Sequence, residues 1–105
     1  ERRRALTSST MVTVKVQFFA RLKEITGKTE VVIESLEEET VRELLAELSK
    51  HYGKAFDKYI YAEEGQIADH IQILLNKTSI TNLQGLETKL KDGVQMDIVP
   101  LVAGG

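Results

Sequence analysis

The chain has 105 residues, a formal net charge of −2 and no cysteine. This length suits one domain with a single modest core, and the lack of cysteine excludes disulfide scaffolds, thiolate metal sites and cysteine nucleophiles. The slightly acidic balance argues against nucleic-acid binding, and the lack of an apolar run of about 20 residues excludes a membrane span. We expect a cytoplasmic protein that binds neither nucleic acid nor a membrane, and the lack of cysteine is compatible with a reducing cytoplasm.

The regular pattern begins at Met11, where alternation of apolar and polar residues predicts a strand. Its inward face would consist of Val12, Val14, Val16 and Phe18. Phe19 continues the opposite, outward face. The β-branched residues at 31–33 resume the pattern, so we expect the two segments to form a hairpin. Residues 1–10, which contain three consecutive arginines, are interpreted as an unstructured leader or an expression remnant.

The clearest signal in the sequence is an amphipathic helix. Its apolar stripe has the i, i+3, i+4, i+7 spacing and consists of Val41, Leu44, Leu45 and Leu48. Thr40 lies where an N-cap belongs, and Glu43, three residues on, completes a capping box. We expect Gly53 to end the helix, because glycine readily adopts the left-handed conformation at a helix C-terminus.

The second half of the chain contains shorter segments. Residues 54–70 show no regular period and are predicted to be irregular, whereas residues 71–75 alternate as a third strand. A turn at Asn76 and Lys77 leads to a short extended segment at 78–80.

A final strand is predicted after the turn pair Asp92-Gly93, and it ends at Pro100, which cannot donate to a sheet ladder. Its inward face would consist of Val94, Met96 and Ile98. The order of elements resembles the β-grasp, or ubiquitin-like, fold of the α+β class. We therefore expect residues 11–101 to form a mixed sheet of four to five strands with one main helix on one face. The first and last strands would lie parallel and adjacent, and a flexible Gly-Gly tail would follow at 102–105.

Parallel first and last strands would collect apolar residues on the face away from the helix. These residues are Phe19, Val99 and Leu101, and Leu74 extends the set. Exposed apolar clusters often mark interaction surfaces, so we predict a docking surface beside the root of the tail. The alternative is that residues 54–70, with their aromatic side chains, fold over the cluster.

The chain ends in Val102, Ala103, Gly104 and Gly105. One interpretation is a frayed polar end. The other is a tail that presents its α-carboxylate to another protein, because glycine lets the backbone enter a narrow active-site channel.

No other motif in the sequence predicts a metal, nucleotide or catalytic site. His51 and His70 lie in no ligand-spaced motif, and the glycines are too scattered to form a phosphate loop. We therefore expect no bound cofactor and no metal.

Segments at opposite ends of the predicted domain carry a family resemblance. Residues 18–24 read FFARLKE, with a glycine three residues on, and residues 86–93 and 100–105 read LETKLKDG and PLVAGG. They resemble the "FARL(R/K)E…G" and "L-x-D-G-D-x-V…PPVAGG" motifs of the MoaD/ThiS sulfur-carrier family, and the first motif is the hallmark of its MoaD branch. Leu101 stands where the family pattern usually has a second proline.

This resemblance implies a carrier protein and not a complete enzyme. An adenylyltransferase resembling ubiquitin-activating enzymes would use ATP to adenylate the carboxylate of Gly105, which Gly104 precedes, and a sulfur donor would convert the adenylate to a thiocarboxylate. The large subunit of molybdopterin synthase would then take the sulfur, in molybdenum cofactor biosynthesis. The partner interface would consist of Phe19, Leu74, Val99, Leu101, Val102 and Ala103.

Three other functions are compatible with the same features. The chain could be a ubiquitin-like modifier that is joined through Gly105 to substrate lysines, or a sulfur carrier for thiazole synthesis. It could also be a β-grasp adaptor in which the Gly-Gly end is incidental.

Overall fold

The computed structural model describes residues 11–63 and 65–101. The strands are β1 (Met11–Phe18), β2 (Glu30–Leu36), β3 (Tyr61–Glu63), β4 (Gln66–Ile67), β5 (Ile71–Leu75), β6 (Thr78–Ser79) and β7 (Val94–Pro100). The helices are α1 (Arg21–Thr26), α2 (Val41–Tyr52) and α3 (Lys54–Ile60), and single 3₁₀ turns span Ile80–Asn82 and Gly85–Glu87. The predicted leader, 1–10, and the predicted tail, 102–105, lie outside the described residues.

Five strands form one mixed sheet in the order β2-β1-β7-β5-β6. β1 and β7 are parallel neighbours, with Phe18 opposite Ile98, and all other pairs in this sheet are antiparallel. A parallel pair cannot be closed by a tight turn, so the chain between β1 and β7 crosses over and carries the helices. The structure therefore confirms the predicted β-grasp fold, with its β1–β2 hairpin and its parallel first and last strands.

The main helix, α2, buries its apolar stripe against the inward face of this sheet. Its four stripe residues belong to the same core cluster as the inward residues of β1 and β7. The predicted capping box is present: the Thr40 side chain accepts the Glu43 N–H, and the Glu43 carboxylate accepts the Thr40 N–H at 2.9 Å. Gly53 ends the helix as predicted, but with a φ of 91° and a ψ of −166° it is not in the predicted left-handed helical conformation. The positive φ still favours glycine.

Residues 54–60 form helix α3, so the prediction that residues 54–70 are irregular was wrong there. Phe56 and Ile60, one turn apart, are both 0% exposed. The ring of Phe56 meets the ring of Phe18 edge to face, with centroids 6.3 Å apart. Two apolar residues are too short a signal to define a helical period, and burial against the existing core stabilises this helix. β3 and β4, which follow α3, pair as a separate two-stranded sheet.

The turn after β1 holds Ala20 in a conformation that suits glycine. Its φ is 54° and its ψ is −128°, close to the mirror image of the first central residue of a type II turn. The Leu22 N–H closes this turn by donating to the Phe19 carbonyl at 3.0 Å. Because a Cβ is strained there, we expect Ala20→Gly to raise the free energy of unfolding by about 1 kcal/mol. Equilibrium unfolding in urea measures this change, and a less stable variant would contradict the assignment of strain.

Candidate functional site

The face of the sheet opposite α2 carries the apolar residues predicted to face outward, at the end where β7 finishes. Phe18 lies opposite Ile98 in the parallel ladder, so the residues that follow them, Phe19 and Val99, leave the ladder at the same end of the sheet. The antiparallel neighbour β5 contributes Leu74 to this face. The outward cluster is defined here as Phe19, Leu74, Val99 and Leu101.

Two members of the outward cluster are open to solvent and two are half-buried. Phe19 is 37% exposed and Leu101 is 48% exposed. Val99 and Leu74 are half-buried. Phe18, the neighbour of Phe19 in the chain, is only 2% exposed because it points to the core. Consecutive side chains thus lie on opposite faces of the sheet, and apolar side chains on the outward face remain accessible to solvent.

Phe56, an aromatic residue of the segment that follows α2, packs into the core. Phe56 packs against Phe18 and also against Tyr52, with the latter pair of ring centroids 5.8 Å apart. Both contacts lie on the side of the sheet that α2 covers. Phe56 therefore extends the core, whereas Ile67 and Ala68, later in segment 54–70, line a groove that they share with Leu101 of the outward cluster.

Asp97 lies in the middle of the outward face, and the sequence analysis did not identify it. Only 2% of this residue is exposed. It stands opposite Gln17 of β1 and Leu74 of β5. The alternation that directs Val99 and Leu101 outward also directs Asp97 outward, and this is the signal that could have found it.

The Asp97 carboxylate belongs to a row of polar groups that crosses the sheet. The Gln95 amide donates to Asp97 Oδ1 at 3.1 Å, and the Lys77 ammonium lies 3.7 Å from Asp97 Oδ2. Gln95 also donates to Gln17 at 3.3 Å, and Gln17 donates to Glu30 at 3.3 Å. The outward face therefore combines an apolar cluster with one buried carboxylate beside it.

The last described residue, Leu101, is still attached to the sheet. Its N–H donates to the carbonyl of His70, just before β5. Leu101 also lines a groove of about 340 Å³, whose other apolar lining includes Ile67, Ile71 and Ile80. The chain therefore leaves the sheet next to both this groove and the outward cluster.

The remaining candidate residues add no second site. Val102, Ala103, Gly104 and Gly105 lie outside the described residues, so their roles stay predictions. Across 11–63 and 65–101, no three His, Asp or Glu side chains are grouped as metal ligands would be. Within the same ranges, none of the helices combines the length and the hydropathy that crossing a bilayer requires.

Comparison with known proteins gives matches over nearly the whole chain. A family model described as the ThiS family matches residues 16–105. Small archaeal modifier protein 3 of Haloferax volcanii is 29% identical over 92 residues, which cover 88% of this chain and 98% of that protein. A protein of Archaeoglobus fulgidus named "Putative sulfur carrier protein" is 36% identical over 92 residues, with the same 88% and 98% coverage.

A solved structure extends the comparison to the fold. The solution structure of the small archaeal modifier protein 1 from Methanosarcina acetivorans matches with a TM-score of 0.77 and 34% sequence identity. The match covers 91% of this chain and 99% of that chain. The family match includes all the motif segments noted in the sequence, at 18–24, 86–93 and 100–105.

Proposed function

The chain belongs to the ThiS family, and from this membership we propose that it is a sulfur carrier whose Gly105 carboxylate is adenylated and then converted to a thiocarboxylate. The accepting enzyme would be the large subunit of molybdopterin synthase, which would use the sulfur to build the dithiolene of the molybdenum cofactor. The resemblance of residues 18–24 to the MoaD branch supports this choice of acceptor.

One observation carries the proposal: the partly exposed outward cluster lies where the chain leaves the sheet toward Gly104 and Gly105. Leu101, which is 48% exposed, belongs to that cluster and precedes the end of the chain by four residues. Four residues of extended chain span roughly 13 Å. A partner that binds the cluster could therefore receive the terminal carboxylate in an active site about that distance away.

The chemistry explains why the carboxylate needs activation. An α-carboxyl group has a pKa of about 3.3–3.7, so at neutral pH it is ionised and a poor electrophile. Its oxygen would attack the α-phosphorus of ATP, and pyrophosphate would leave. With hydrosulfide as the donor, a C–S bond forms, the bond from the acyl carbon to AMP breaks, and AMP and a proton are released. The sulfur then stays covalently attached and is positioned by protein–protein binding.

A ubiquitin-like modifier is the second candidate function. Two of the similar proteins are named small archaeal modifier proteins, and the adenylate would be common to both functions. In the modifier, a lysine amine of another protein attacks the activated carbonyl of Gly105. An isopeptide bond forms, and the activating group leaves.

The intact mass of the protein after activation separates these functions. The chain would be incubated with its adenylyltransferase, ATP and a sulfide donor, and a sample without ATP serves as the control. Exchange of one oxygen for sulfur on Gly105 is expected for a carrier. Isopeptide-linked species without such an exchange would support the modifier, and no ATP-dependent change in mass would contradict both.

A further inference from the structure

We propose that Asp97 determines which partner binds the outward face, by pairing with an arginine or lysine side chain of the adenylyltransferase that receives the tail. This inference rests on the proposed function, because it takes that enzyme as the occupant of the outward cluster. It adds a requirement that the apolar cluster alone does not impose: the surface of the enzyme must carry a cation opposite Asp97.

The position of Asp97 places its carboxylate inside the contact area. On β7 it precedes Val99 by two residues, so both side chains lie on the outward face. On β5 it faces Leu74 across the ladder. A protein surface that covers Leu74 and Val99 must therefore cover Asp97 as well.

The carboxylate has few partners for a group so deeply buried. Its side chain is 3% exposed. Among the described residues, Gln95 is the one side chain that donates a hydrogen bond to it, at 3.1 Å. An ionised carboxylate has acceptor positions for about four hydrogen bonds. Most of the acceptor capacity of Asp97 is thus left for a further donor.

Lys77 supplies a charge but not a firm hydrogen bond. Its ammonium is 3.7 Å from Asp97 Oδ2, and its side chain is 77% exposed. Lys77 sits in the turn between β5 and β6 with a φ of 73°, at the rim of the outward face. A long, largely solvated side chain loses little when it returns to water, so a competing cation can displace it.

In the docked complex, the binding free energy depends strongly on whether the partner places a cation or an apolar group opposite Asp97. When a partner excludes water, a buried carboxylate without a cation becomes strongly unfavourable. A guanidinium group is the best match, because it can donate two parallel hydrogen bonds to one carboxylate. Beneath a surface that is apolar throughout, Asp97 would keep only the distant charge of Lys77, at 3.7 Å, whereas an arginine opposite Asp97 would add hydrogen bonds to the carboxylate.

Three substitutions test this requirement by calorimetric titration of the full-length chain with the adenylyltransferase from the organism that encodes it. Asp97→Asn keeps the size of the side chain and removes its charge, and we expect a Kd at least tenfold higher. Lys77→Gln removes the competing cation, and we expect an unchanged or lower Kd. Glu34→Gln is the matched control, because Glu34 is an exposed carboxylate on β2, two strands away from β7, and its Kd should not change.

Three results would overturn the inference. They are unchanged or tighter binding of the Asp97→Asn variant, equal weakening by Lys77→Gln, and equal weakening by Glu34→Gln. If Asp97→Asn lowers the melting temperature, the salt dependence of binding is compared between the wild type and this variant. Loss of a direct ion pair requires the Kd of the variant to rise less steeply with ionic strength, and equal slopes would overturn the inference. Failure of the proposed function is a different result: the wild-type chain would then bind the enzyme without any ATP-dependent change in mass.

Discussion

Deletion of Gly105 is expected to abolish adenylation and sulfur loading while leaving the melting temperature unchanged. The deletion shortens the reach of the chain by about 3.5 Å. The new terminal carboxylate, on Gly104, would then fall short of the reacting phosphorus of ATP by about this distance. A misplacement of about 1 Å can already cost on the order of 100-fold in rate. The buried apolar core extends from Val12 to Ile98, so its packing does not depend on Gly105.

Two matched variants control this experiment. Addition of one glycine after Gly105 keeps the composition of the tail but lengthens it, and it should abolish loading for the same geometric reason. Removal of residues 1–10 shortens the opposite end, and that variant should load like the full chain. Loading is followed by intact mass and folding by thermal melting. A Gly105 deletion variant that is still loaded would contradict this prediction. A variant that is not loaded but retains the activity of the protein would leave the adaptor as the remaining interpretation.

The second large effect is expected at the adjacent residues Phe18 and Phe19. Substitution by alanine should destabilise the fold at Phe18 and weaken partner binding at Phe19. Phe18 is 2% exposed, so Phe18→Ala should lower the free energy of unfolding by about 3–5 kcal/mol. Phe19 is 37% exposed, so Phe19→Ala should cost less than about 1 kcal/mol of stability. Because aromatic side chains are the usual binding hot spots, Phe19→Ala should instead weaken partner binding by roughly tenfold or more.

Urea unfolding and titration with the adenylyltransferase measure the two halves of this prediction on the same samples. The Phe18 variant serves as the stability control, since at low temperature the folded fraction should still bind the partner. Equal losses of stability in both variants would mean that Phe19 belongs to the core. An unchanged affinity of the Phe19 variant would remove the outward cluster as the docking surface.

Local patterns were sufficient to predict most elements of the fold. The alternation from Met11 to Phe19 identified β1 and its two faces, because side chains in a strand alternate whatever the rest of the chain does. The stripe of α2 and the capping box of Thr40 and Glu43 are signals of the same local kind. Helix α3 escaped prediction because Phe56 and Ile60 give a period too short to recognise without their contact with Phe18.

The sequence by itself determined the secondary structure around the core, the outward direction of Phe19, Val99 and Leu101, and the family motifs at both ends of the domain. Only the tertiary structure decided how deeply Asp97 is buried and that Lys77 stands beside it. Alternation predicts on which face of the sheet a side chain lies, but the burial of that side chain depends on which strands flank its own strand. The parallel pairing of β1 with β7 and the antiparallel pairing of β5 with β7 bring together residues far apart in the chain. That register places a buried carboxylate beside an apolar cluster, which no local pattern could show.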